Sequence, residues 1–544
     1  MRLLRRKEGG EKLDLICLFI LGLLVRLGLA TIVSRPGYMD TAYYAAGAVR
    51  LAQGGGLSEL FIWNYLDSPA SIPHPGFLYW MPLPSLLGAP FGALFPGSFL
   101  ALQIPFLILS SLVPLVAYDL AARAIGRRTL ARAAGLLTVF SGFFFPYWTL
   151  PETFAPFALF GGTALWLAGR RGSRTASNRT VTGRWLLVGL LVGSAHLTRA
   201  DGVLLLPVVA LAPLVAGRMR RSIDSGYAVD AKASPSRRKA GAVRLLLIGT
   251  GYLLTMSPWF VRNLATVGTP LPSAGTRTIW LTEYDDLFCY DCDLSASSYL
   301  AWGWSNILRS KLSALWINFQ RFLAEDCLIF LLPFTAIGLY RLRRRLSFLL
   351  ASIYLIGIYL AHSLVFTFPG WRGGFFHASS AVLPFLYTAG MKGLDTAIRW
   401  SAQRRRGWRY QQALPVFVTA AIMAAVLLSG YTAWQRIPAW RQSSILYAKV
   451  DRCLRDRGTP TAGVMVRNPP AFWYHTERPA AVIPNEDVDT LLVVADRYEM
   501  DYVLLEEDHP APLADLYTGN ASHPRLRPVE AWSNVDSILY AVQR

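Results

Sequence analysis

The sequence predicts a polytopic α-helical membrane protein that ends in a small α/β domain. Three observations carry this expectation. The 544 residues are 53% hydrophobic and only 16% charged, whereas soluble chains carry nearer a quarter charged residues. Apolar runs of membrane-spanning length recur from residue 13 to residue 434. Beyond residue 435 the composition turns, and 15 of the 34 acidic residues fall in that tail.

The same figures exclude disorder, and five Cys are too few for a disulfide-built scaffold. A net charge of +20 suggests a nucleic-acid binder until the positions are examined. The basic residues sit between apolar runs rather than on one face, so no nucleic-acid partner is expected.

A span needs about 20 mostly apolar residues to cross roughly 30 Å of hydrocarbon. Eleven segments are candidates, several of them short: 13–33, 99–121, 131–148, 152–169, 185–199, 203–217, 244–262, 327–340, 346–365, 375–393 and 413–434. The N-terminus has the basic start of a signal peptide but no small-residue cleavage site, so 13–33 is read as an anchor. The apolar stretch 81–96 holds Pro82, Pro84, Pro90 and Pro96 and is read as interfacial or re-entrant.

With the N-terminus cytoplasmic, the inner segments hold 32 Lys and Arg, against about 8 in the outer loops before the tail. That is the bias of the positive-inside rule, and counting 81–96 as a span would destroy it. The layout expects a multi-pass protein of the plasma membrane with its C-terminal end extracytoplasmic. Residues 1–435 form the membrane module, with external loops 34–98 and 263–326, and 436–544 form the outer domain. The basic inner loop 218–244, with Ser225, Ser234 and Ser236, reads as solvated beside anionic lipid. In the tail, Val488, Leu491, Leu492, Ala495 and Tyr498 share a helical face. Runs 463–466, 502–505 and 538–542 read as strands.

Chemistry-bearing residues gather on the outer side. Asp40, in Gly37-Tyr38-Met39-Asp40-Thr41-Ala42-Tyr43-Tyr44, follows the first span and precedes a helical stretch ending at Gly54. Its carboxylate could serve as general base on a hydroxyl, or simply cap that helix. Dense aromatics follow, including Trp63, Tyr65, Tyr79 and Trp80, with His74 between Pro73 and Pro75. They suit a membrane-interface belt or contact with sugars and headgroups. Glu152, Arg199 with Asp201, Arg262, and Arg372 with His377 stand at outer ends of spans. An ionisable group at membrane depth is costly and points to function; snorkelling or an Arg199–Asp201 pair is the plainer alternative. Cys289 and Cys292 read as a local disulfide or two unpaired thiols, since no further Cys or His cluster completes a zinc site. No phosphate-binding loop or dinucleotide glycine pattern occurs.

The segments GYMDTAYYAAGAVRLAQGGG, FIWNYLDSPASIPHPGFLYWMPLPS, LPETF, LTRADG and SPWFVRNL, with an arginine in a late outer loop, resemble the GT-C superfamily of integral-membrane glycosyltransferases. More narrowly they resemble bacterial relatives of the protein O-mannosyltransferases and the lipid A aminoarabinose transferase. The resemblance covers residues 10–435 in layout and is sharpest over 37–85. It implies transfer of a sugar from a polyprenyl-phosphate donor at the outer leaflet to a glycan, lipid or protein acceptor, with inversion. Asp40 matches the general base, and Glu152 matches a second acidic position that contacts acceptor or metal. Arg199, Arg262, Arg372 and His377 stand where the donor phosphate would bind. Tyr43, His74, Tyr79, Trp80 and Asp201 would line the substrate loop. No cofactor is firmly implied, and a divalent metal is allowed. Thr41 follows Asp40 where the mannosyltransferases carry a second acid, which weakens the case for a protein acceptor. The competing class is a secondary transporter or flippase, which expects midplane sites and pseudo-symmetric halves.

Overall fold

The computed structural model describes residues 2–170, 178–224, 235–533 and 536–544. Part of the basic inner loop, including Ser225 and Ser234, lies outside the described residues. The helices run α1 (Arg2–Ile32), α2 (Met39–Ala52), α3 (Leu83–Leu94), α4 (Phe99–Ile125), α5 (Arg128–Val139), α6 (Phe154–Gly169), α7 (Asn178–Thr198), α8 (Leu205–Asp224) and α9 (Pro235–Val267). Further helices at Leu346–Leu360, Leu383–Arg404 and Tyr410–Ala439 complete the apolar bundle.

Every expected span maps onto helix, yet fewer run unbroken. Among the described residues five helical runs are long and apolar enough to cross a membrane, or six if the pair Arg128–Val139 and Gly142–Thr149 counts as one span bent by 62°. Several expected spans are short or interrupted. Residues 327–340 resolve into an irregular turn followed by helix Leu332–Leu342, and 375–393 is broken by a tight turn at Ser380–Val382. The proline-rich 81–96 contains α3, whose 12 residues reach about 18 Å, too short to cross.

The bend after α5 explains a buried charge. Arg26 of α1 is 0% exposed and donates to the carbonyls of Val139 (2.8 Å) and Thr138 (3.4 Å). Those carbonyls lose their helical partners where the chain bends, and the guanidinium satisfies them between the Phe145 and Trp148 rings. Close helix pairs rest on small residues. A side chain at Gly189 or Gly251 would strike the α9 or α7 backbone, so only glycine lets those helices approach so closely.

Between α2 and α3 the chain forms short strands β1 (Ser58–Glu59), β2 (Phe61–Ile62) and β3 (His74–Pro75), and the tail adds β4 (Gly463–Val466), β5 (Ala480–Val482), β6 (Met500–Leu505), β7 (Leu526–Trp532) and β8 (Ser537–Val542). The helix at Val488–Arg497 and strands β4, β6 and β8 lie where the apolar patterns put them. The six-stranded sheet has order β2-β5-β4-β6-β8-β7, with β2 parallel to β5 through Phe61–Ala480 and Ile62–Ala481. Strands β4 and β5 are buried at every residue, as central parallel strands must be. The edge strand thus comes from the 34–98 segment, more than 400 residues earlier. Tyr65 donates to the Val482 carbonyl and Tyr498 to that of Pro69 (2.8 Å). The second external loop joins the same assembly: Cys289 and Cys292 form a disulfide, and the Tyr290 amide donates to Glu486 (2.8 Å). Segments 34–98 and 263–326 are therefore both fastened to the tail domain.

Candidate active site

Helix α2 begins after Tyr38, which is extended at φ −159° and ψ 174°. Asp40 is consequently inside the first turn and is not the N-cap, so the plain capping role fails on position. A first-turn carboxylate still gains from the helix dipole. The Asp40 side chain is 30% exposed, and its Oδ2 stands 3.8 Å from His377 Nε2. Burial on its other sides lifts its pKa to about 6, against the pull of Arg199.

Glu152 reaches the same point from the turn before α6. It is fully buried, and neither oxygen makes a hydrogen bond; the Tyr38 hydroxyl faces it outside good geometry. Two unsatisfied carboxylate oxygens in a dry interior are costly and call for a partner. Ligating atoms of Asp40, Glu152 and His377 all lie within 4.8 Å of one another. His377 is held by Thr153, whose Oγ1 is 2.8 Å from Nδ1, and by stacking on Phe154 at 4.1 Å. With Nδ1–H donating to Thr153, Nε2 is free to ligate. Two carboxylates and an imidazole fit a divalent cation, and the orphaned Glu152 oxygens are the observation that favours one.

The cations divide. Arg199 makes a bidentate pair with Asp201 at 3.0 and 2.7 Å, and His362 Nε2 lies 3.0 Å from the same carboxylate. Its field still reaches Asp40. Arg262 donates from Nη2 to the Leu57 (3.0 Å) and Gly76 (2.9 Å) carbonyls of the 34–98 loop and from Nη1 to Asn263 (3.0 Å). Both terminal nitrogens already have acceptors within the protein, which does not favour the expectation that Arg262 faces a donor phosphate. Arg372 is exposed, its guanidinium 4.8 Å from the Tyr284 ring centre. Burial pushes the hydroxyl pKa values of Tyr284 and Tyr79 up, and the Asp40 charge, which both feel, adds to the rise.

Other loop residues face elsewhere. Tyr43 donates to Glu59 (2.5 Å), and the Phe77 amide donates to both, closing a buried knot in which burial raises the Glu59 pKa to about 7. His74 pairs with Asp67 at 2.7 Å. Trp80 stacks on Trp63 at 4.1 Å. These three hold the loop in shape and are not brought to the Asp40 cluster. Sequence reading passed over Glu59, Tyr38, His362 and Tyr284. Tyr38, two residues before Asp40, and His362, near the end of the Leu346–Val365 run, carried a positional signal; Glu59 stood among the loop acids, and Tyr284 carried none.

Residues 74–229 match the family model of dolichyl-phosphate-mannose-protein mannosyltransferases. Comparison with curated protein sequences gives no match. Among solved structures, ArnT from Cupriavidus metallidurans bound to undecaprenyl phosphate aligns at TM-score 0.55 and 13% identity, covering 97% of each chain. The oligosaccharyltransferase AglB from Archaeoglobus fulgidus, with an inhibitory peptide and a dolichol-phosphate, aligns at TM-score 0.51 and 13% identity, over 97% of this chain and 74% of that one. An oligosaccharyltransferase from Archaeoglobus fulgidus in complex with Zn and sulfate aligns at TM-score 0.54 and 13% identity, over 92% of this chain and 69% of that one. The chain shares their fold across nearly its full length.

Proposed function

We propose that this chain, a membrane glycosyltransferase of the GT-C superfamily, moves a sugar from a polyprenyl-phosphate donor to an acceptor hydroxyl at the outer face of the plasma membrane. The observation that carries the reading is the meeting of Asp40, Glu152 and His377 from three distant segments, with the Glu152 oxygens buried and unpaired.

Asp40 is the general base. Raised to about 6, its carboxyl is largely ionised at neutral pH yet is a stronger base than a solvated aspartate. It takes the acceptor proton as the hydroxyl attacks the anomeric carbon, while the C–O bond to the lipid phosphate breaks on the opposite side. One base and one displacement give inversion. The leaving phosphate needs cationic stabilisation, which Arg372 supplies from the exposed rim and the Arg199 field supplies from beneath. A divalent cation, when bound, would lend Lewis-acid stabilisation to the departing charge. Asp40, Glu152 and His377 would hold it, and the second Asp40 oxygen stays available to the acceptor. Acceptors consistent with the reading are a glycan, a lipid or a protein hydroxyl. The N-terminus is then cytoplasmic and the tail sheet external.

The test is mass spectrometry of lipids, glycans and proteins from cells with and without the chain. A glycan or lipid lacking one sugar, with its polyprenyl-phosphate donor accumulating, supports the reading. Unchanged products and donors reject it.

A further inference from the structure

We infer that the external-loop helix Trp304–Arg321 lies embedded in the outer leaflet, with lipid acyl chains as the partner of its exposed apolar face. The inference concerns membrane placement and does not depend on the transfer chemistry.

The helix divides into three sectors when its residues are set at roughly 100° intervals. Ile307, Ala314 and Asn318 are buried and face the protein. Trp304 (75% exposed), Leu308 (60%), Leu312 (56%), Trp316 (59%) and Phe319 (41%) occupy an adjoining arc of roughly 120°, in which Ser305 of the first turn is the one exposed polar residue. Arg309 and Gln320 are exposed in the remaining sector, with Ser310 and Ser313 partly covered. A helix packed on one side and open to water on the other would need only two sectors. The middle one presents two tryptophans, two leucines and a phenylalanine to something apolar. That contiguous surface is of the kind soluble faces do not leave open. Its low overall hydrophobicity with a polar back suits a helix lying in the interface rather than a spanning one.

The occupant follows from what the helix touches. Tyr359 donates to the Leu315 carbonyl (2.8 Å), Asn318 donates to Ser363 Oγ (3.0 Å), and Lys311 donates to Thr367 Oγ1 (2.5 Å). These bonds fix the helix against the outer end of the Leu346–Val365 span. On that span Ile356, Leu360, Leu364 and Val365 are exposed. The apolar arc therefore continues a surface that already meets lipid, and its tryptophans suit the headgroup boundary. At its C-terminal end Arg321 donates to the Arg372 carbonyl (3.4 Å), linking the helix to the rim of the candidate site.

The test places single nitroxide labels at 308, 312, 309, 313 and 320 in the full chain, reconstituted in phosphatidylcholine–phosphatidylglycerol nanodiscs, with Cys17 and Cys453 replaced by Ser. Collision with oxygen should dominate at 308 and 312, and collision with a water-soluble nickel complex at 309, 313 and 320. Nickel dominance at all five positions would overturn the inference. So would shielding of 308 and 312 from both reagents, which would make a second copy or another protein the partner. If labelled chains misfold, Trp304→Phe and Trp316→Phe provide a second readout. In brominated lipid, the fluorescence these variants lose should be the quenched fraction; a lost fraction that bromine does not quench also overturns the inference.

Discussion

Replacing Asp40 with Asn separates chemistry from architecture. Asn keeps the shape of the side chain but cannot accept a proton as a base. General-base catalysis contributes about 10²–10⁴-fold, so turnover should fall at least into that range. Stability should move the other way. The ordinary Asp carboxyl titrates at 3.8, and burial raises that of Asp40 to about 6. Between these values the folded chain holds a proton that the unfolded chain has released, so the contribution to stability falls as pH rises through that window. Above it, holding the ionised carboxylate costs at most about 3 kcal/mol at 1.36 kcal/mol per pH unit, and less because solvent reaches 30% of the side chain. Asn avoids that cost. Asp40→Asn should therefore melt a few degrees higher than wild type at pH 8, with the gap closing towards pH 4. The assays are initial-rate sugar transfer and thermal unfolding in detergent across that range. Near-wild-type turnover would make Asp40 an architectural residue. A lower melting temperature at pH 8 would show that the charged carboxylate stabilises the fold, and would refute the burial argument.

Wild-type kcat/KM should rise with pH through about 6 and then level, because the base must be ionised, and a profile flat from pH 5 to 8 would contradict this. If the Asp40–Glu152–His377 cluster holds a divalent cation, a chelator should abolish transfer and added metal restore it, while isothermal titration of Glu152→Gln should show metal binding lost. Arg372→Ala should weaken donor binding by about 1.5–3 kcal/mol, the range for a charge-assisted contact. Arg262→Ala should leave donor affinity unchanged and lower the melting temperature, since its fork holds the Leu57 and Gly76 carbonyls. A phosphatase reporter fused after residue 544 should be active outside the cytoplasm; activity of a cytoplasmic reporter there would reverse the topology.

Membrane character, the order of helices and three strands of the tail were legible because they follow from local apolar periodicity. Residues 463–466 and 488–497 pair or pack as their patterns require. Strand β2 was not legible, because two residues of a loop carry no period, and its pairing with Ala480 and Ala481 is set by tertiary packing. The bend after α5 was passed over for a related reason: the run 131–148 is mostly apolar, and Ser141-Gly142 and Pro146 within it mark a break without fixing how far the chain bends. At the site, charge at the outer ends of spans singled out Asp40, Glu152 and His377. Charge alone could not separate Arg372 from Arg262, because which donors are already engaged depends on the folded loop. Tyr43, His74 and Trp80 read as substrate contacts for the same reason: an aromatic or a histidine that braces a loop has the same composition as one that binds a ligand.

The most direct test is transfer by the purified chain in proteoliposomes supplied with polyprenyl-phosphate sugars carrying an isotope at the anomeric carbon. The account predicts a new glycosidic bond with inverted configuration, release of polyprenyl phosphate in equal amount, and loss of both in Asp40→Asn. Movement of the intact lipid-linked sugar across the bilayer with no glycosidic product, equal in wild type and variant, would contradict it.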